Sequence, residues 1–240
     1  MYWHTHNLPR IFIISLCLLT IAGMSIVEHF KKFVPVEHYQ LKVDAAHTTK
    51  NAFKATKAFR QQQKIPIDTH LDPHSTGLIG ERLTDITSDN GDIATKQITT
   101  NPNIVAIFIN WMEQLNLQKG DIVAVGATGS FPALDISMLA AIKTMGLQPL
   151  IIYSSSASQY GANIPNFTFI DIQHYLHQKG IFDYRPIAVS LGGAQDRNHN
   201  MSKKGISILT KTINKYNYPF LQPTGTIDSI NQRMSLYELA

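Results

Sequence analysis

The chain has 240 residues, 44% of them apolar, with 14 Gly, 11 Pro and one cysteine, Cys17. That is enough for one sizeable α/β domain with an appendage, and it excludes a disordered chain, an intrachain disulfide framework and a zinc site built on cysteines. The formal charge of +4 is unevenly held: residues 28–64 carry eight Lys/Arg against three Asp/Glu, a net of +5, whereas residues 65–240 carry 12 against 14, a net of −2. The basic excess is therefore local, and nucleic acid is not an expected partner.

The first element is an uncharged run, Ile11 to Val27 (IFIISLCLLTIAGMSIV), of 17 residues. As a helix it reaches ~26 Å, the short end of a membrane span. Tyr2 and Trp3 suit one interface; Lys31 and Lys32 suit the other. A cleaved signal peptide is the rival reading, but the run exceeds the usual ~7–15 apolar residues and no Ala-x-Ala site follows. The expectation is a single-pass anchor in the cell membrane. Counting Arg10 against Lys31, Lys32 and Lys42 puts the main domain in the cytoplasm. A short tail before an apolar anchor also fits the opposite arrangement, and the side stays open.

Residues 28–70 follow as a basic juxtamembrane stalk, with residues 1–10 as the tail, 11–27 as the anchor and 71–240 as the main domain. Asp44 to Lys64 has helical periodicity. Ala45, Thr49, Ala52, Thr56 and Phe59 share one face; Lys50, Lys54, Lys57 and Lys64 lie near the other, with Arg60 at its edge. The basic strip is either a solvated face or a contact for acidic lipid headgroups or an acidic polymer. Ile65-Pro66 closes the helix.

Residues 72–103 are expected to form a hairpin turning at Asp89-Asn90-Gly91. Asn101 then caps a helix with Pro102 at its first position, running to about Asn116. From there strands alternate with helices: a strand over 121–126, a helix over 132–145 stopped by Gly146, and a strand over 148–153. A short strand over 167–170 and a helix over 172–179 ended by Gly180 come next. A strand over 186–190 and a helix over 202–217 complete the series. This order predicts an α/β fold, a mostly parallel sheet with helices on both faces.

Ligands of such sheets collect at the strands' carboxyl ends. Three loops leave those ends here: GATGS (126–130), SSSASQYGAN (154–163) and SLGGAQDRNHN (190–200). Their small residues allow backbone N–H groups to approach an anion. A small-anion or carboxylate site is expected, with Thr128, Gly129, Ser130, Ser155, Ser156, Ser158, Asn163, Gly192 and Gly193 as its contacts. The bland alternative is turn chemistry, with Ser130 capping its own helix and Gly192-Gly193 making a tight bend. GATGSF matches neither a dinucleotide fingerprint, nor an ATP phosphate loop, nor a nucleophile elbow. The strand–loop–helix is similar in a generic way to phosphate-cradling sugar isomerase-like modules.

Ser130 as a nucleophile needs a base. Asp196, His199 and Asp135 qualify by residue type, with Asp135 read as structural or solvent-facing. The ten histidines show no metal-ligand spacing, so neither a metal nor a cofactor is expected.

Four blocks, ITTNPN (98–103), GSFPALDI (129–136), SSASQYGANIPNFTFID (155–171) and SLGGAQD (190–196), resemble those of the poly-gamma-glutamate system protein family. The resemblance runs from about Leu78 to Ala240, and an N-terminal membrane segment fits it. It implies an accessory protein of capsule poly-gamma-glutamate synthesis or export, with the synthase and export proteins as partners, and it assigns no reaction. A hydrolase or transferase acting on gamma-glutamyl or phosphosugar substrates through Ser130 is the alternative; a purely structural partner of the synthase is a third reading.

Overall fold

The computed structural model describes residues 9–32, 34–198 and 201–239. Tyr2, Trp3 and His199 lie outside the described residues. The uncharged run is helical, α1 (Arg10–Phe30), and none of its residues is buried. At ~1.5 Å per residue, its 21 residues reach ~31 Å. An exposed apolar helix of this length has the composition of a membrane anchor and of a signal sequence alike.

The second compact unit spans Gln40–Ala240. It includes almost all of α2 (Tyr39–Gln62), whose buried residues contain all five positions expected on one face: Ala45, Thr49, Ala52, Thr56 and Phe59. The helix expected as a juxtamembrane stalk packs its apolar face into the domain core. Phe59 stacks on Tyr175 at 4.5 Å and tilts against Phe167 at 5.4 Å. Lys50, Lys54 and Lys64 stay exposed. Arg60, expected at the edge, is buried: it donates to the carbonyls of Pro66, Gly77 and Ile79. Burial lowers its pKa from the usual value.

The expected hairpin over 72–103 is not formed. Residues 72–91 run without strands, and α3 (Ile93–Thr99) starts at Asp92, whose carboxylate accepts the Thr95 N–H at 2.7 Å. The Asp89-Asn90-Gly91 cluster leads into a capped helix because the backbone partners of this stretch lie elsewhere. Asn163 accepts from Glu81 N and donates to Glu81 O and Thr87 Oγ1, while Ser88 N donates to Ala157 O. Segment 80–91 is thus laced along segment 157–163.

Asn101 and Pro102 behave as expected. The Asn101 side chain accepts the Asn103 N–H, one 3₁₀ turn (Pro102–Ile104) follows, and α4 (Val105–Gln114) continues it. The alternating core is β1 (Ile122–Thr128), α5 (Pro132–Met145), β2 (Gln148–Ser154), a small pair β3 (Asn163–Ile164) and β4 (Phe167–Thr168), α6 (Phe169–Gln178), β5 (Ala188–Ser190), α7 (Lys203–Lys215), β6 (Phe220–Leu221) and α8 (Thr226–Glu238). Gly146 ends α5 in the left-handed region at φ 70°.

The main sheet is parallel in the order β1-β2-β5-β6. Register aligns Val125 with Ile151 and Ala127 with Tyr153, and Tyr153 with Val189. These residues share one core with Ile136, Leu139 and Ala140 of α5 and with Ile170, Ile172 and Leu176 of α6. Thr128, Ser154 and Ser190 are likewise aligned, and successive strand residues point to opposite faces. On that second face lies α8: Arg233 donates to Ser154 and Ser190 hydroxyls, and the Tyr237 hydroxyl to Val125 O. The fold is α/β with helices on both faces.

Candidate binding site

All three loops at the strands' carboxyl ends reach one open pocket of about 480 Å³. The first gives Thr128 and Ser130, the second Ser154, Ser156 and Ser158, the third Gly192, Gly193, Ala194 and Asp196. A fourth segment, Ser88-Asp89-Asn90, completes the wall. Six hydroxyl side chains therefore face one space, which lies where parallel sheets bind ligands.

The walls are tied to one another. The Ser130 hydroxyl accepts the Ser158 N–H at 3.1 Å, Thr128 Oγ1 accepts the Ser130 N–H at 3.0 Å, and Gly129 O accepts the Ala162 N–H at 2.7 Å. Ser130 does not cap α5, since Phe131 holds the cap position without a side-chain bond and Pro132 follows. Its hydroxyl is thereby released from the helix and turned to the neighbouring loop. Gly161 passes so close that a Cβ would lie 2.6 Å from Gly129 O and 2.8 Å from Ser130 O. In the third loop Gly193 has φ 65°, and a Cβ there would collide with Asn198 Oδ1.

Asp196 is fully engaged. One oxygen accepts from the Ser190 hydroxyl at 2.5 Å and from Gly192 N at 3.0 Å; the other accepts from Ser229 at 2.5 Å and Arg233 at 2.9 Å. Arg233 compensates its charge, so Asp196 shapes the pocket edge and makes no hydrogen bond to the Ser130 hydroxyl among the described residues. Of the other expected contacts, Ser155 turns away to Leu191 O, Gly129 packs on Ala157 and Ala162, and Asn163 anchors the 80–87 segment. Thr128, Ser130, Ser156, Ser158, Gly192 and Gly193 do line the pocket.

Beneath the pocket lies Lys96 of α3, 2% exposed. Its Nζ donates to Ser130 O and stands 2.8 Å from Ser158 Oγ, with the Phe131 ring face 3.7 Å away. The ring favours an ammonium; burial opposes it. Burial prevails and brings the amine down to about 8, with Asp135 pulling it back up. The Asp135 Oδ2 is enclosed and has no hydrogen-bond partner among the described residues. Burial pushes that carboxyl well above the usual range, against the pull of Lys96. Asp135 thus turns its Oδ2 inward and makes no hydrogen bond to the Ser130 hydroxyl among the described residues.

Lys96, Arg233 and Ser88 to Asn90 are site residues that pattern reading passes over. Asp92-x-x-Thr95 ahead of Ile93 to Ile98 is a helix-start signal that would have placed Lys96 on a helix. No local signal points Arg233 at the loops. Among the described residues no cluster of His, Cys, Asp and Glu is arranged for a metal. Compared with family models, curated proteins and solved structures, the chain gives no match in any of the three.

Proposed function

We propose that the protein is a membrane-anchored accessory of poly-gamma-glutamate capsule synthesis or export, and that its pocket takes one carboxylate of a gamma-glutamyl chain. The observation that carries the ligand class is the convergence of Thr128, Ser130, Ser154, Ser156 and Ser158 hydroxyls on one space. The Ser156 hydroxyl has no protein partner among the described residues and is open to a ligand. Exposed Asp89 on the rim disfavours a second negative charge, which favours a carboxylate over a phosphate dianion. The polymer and its synthase and export proteins as partners come from the resemblance of the four sequence blocks, and the anchor from the exposed apolar α1.

The test is calorimetric titration of the full-length protein in neutral detergent with tri-gamma-glutamate. Ser156→Ala is expected to weaken binding about tenfold or more, since a hydrogen bond to a charged group is worth ~1.5–3 kcal/mol. Equal affinity of the variant, or equal affinity for tri-gamma-glutamate with its carboxylates amidated, would overturn the carboxylate reading.

A further inference from the structure

We infer that Ser158 is a nucleophile and Lys96 its general base, so that the pocket carries acyl-transfer chemistry on an amide or ester. Lys96 is not a lining residue; Ser158 is. The lysine therefore meets a ligand only through the Ser158 hydroxyl, 2.8 Å from its Nζ. Its other hydrogen bond goes to the Ser130 carbonyl, which fixes the amine, and none joins it to the Ser130 hydroxyl among the described residues. No other described side chain bonds Ser158 Oγ, and Asp196 is held by four donors of its own. A nucleophile and a base in hydrogen-bond contact at a pocket wall are the minimum arrangement for covalent catalysis. A buried amine that loses its proton at about pH 8 is fit for the base role.

The step balances within these groups. Ser158 Oγ bonds to the acyl carbonyl carbon as its proton passes to neutral Lys96. The carbonyl π pair moves onto oxygen, where the Ser130 hydroxyl has a proton to donate, its oxygen already accepting the Ser158 N–H. On collapse the C–N or C–O bond breaks, its electron pair leaves with the amine or alcohol, and Lys96 returns the proton to that group. Water or a second amine then releases the acyl group by the reverse sequence. The gamma-glutamyl identity of the acyl donor rests on the proposed function; the Ser158–Lys96 pair does not, and a probe unrelated to glutamate tests it separately.

The experiment treats full-length protein in neutral detergent with a fluorophosphonate and maps the adduct by mass spectrometry. The adduct is expected on Ser158, with an initial rate that rises about tenfold per pH unit below 8 and levels above it, as the neutral amine does. Lys96→Arg should cut the rate at least a hundredfold, because a guanidinium does not deprotonate. Ser130→Ala should keep the adduct on Ser158. A folded wild type with no Ser158 adduct at pH 9, an adduct on Ser130 instead, or a rate that is flat in pH would each overturn the proposal. The wild-type profile decides even if Lys96→Arg does not fold.

Discussion

Lys96 has its Nζ under the two hydroxyl loops and against an aromatic face, and its proton affinity records that position. In the unfolded chain a lysine keeps its proton to about pH 10.4; in the folded chain this one loses it near 8. Between those values the unfolded state binds more protons, so stability rises with pH across that window. Below pH 8 both states are protonated and the contribution is flat at its least favourable. Lys96→Met removes the group. The thermal midpoint of the wild type relative to Lys96→Met is therefore expected to climb from pH 8 to pH 10 and to be level from pH 6 to pH 7. A difference constant over pH 6–10 would refute the burial of this amine. The residue also shows why this part of the site was hidden: its neighbours Ser130 and Ser158 are 34 and 62 positions away, and no local periodicity encodes such a meeting.

At the scale of elements, legibility follows the range of the forces involved. The limits of α5, its Pro132 start and its Gly146 stop are local chemistry, and they stand where the sequence puts them. The buried face of α2 was legible for the same reason, since a 3.6-residue period needs no partner to be seen. Segment 72–91 was not, because Asn163 and residues 157–160 supply the backbone partners that a hairpin would have supplied to itself. Neither β6 nor α8 was anticipated; Arg233 holds α8 to the sheet through Ser154 and Ser190 on distant strands. What α2 contributes is measurable. Phe59→Ala removes a ring that stacks on Tyr175 and tilts against Phe167, and it is expected to cost about 3–5 kcal/mol. Lys54→Gln on the exposed face should stay within about 0.5 kcal/mol. Urea unfolding of both variants checks this; equal midpoints would mean that the helix is a loosely attached stalk after all.

For the whole molecule, the uneven charge lets the proposed polymer binding be tested on two surfaces separately. The pocket holds hydroxyls and a compensated Asp196–Arg233 pair, so the binding proposed there rests on short hydrogen bonds. The exposed Lys50 and Lys54 and the half-buried Lys57 form a basic face of α2, with exposed Lys64 just past its end, in the same compact unit as the pocket. Poly-gamma-glutamate carries a carboxylate at each residue, and a row of ammonium groups attracts a polymer of that kind over a distance set by salt. The two contributions separate by ionic strength. Replacing the four lysines with Gln is expected to weaken binding of long poly-gamma-glutamate to the detergent-solubilised full-length protein several-fold at 0.01 M salt. The loss should be small near 0.5 M, because the screening length falls from ~30 Å at 0.01 M to ~10 Å at 0.1 M and below that at higher salt. Tri-gamma-glutamate, too short to track a helix face, should bind the quadruple variant as it binds the wild type. Unchanged polymer binding at 0.01 M salt would return the strip to a solvated face and leave the pocket alone to hold the chain.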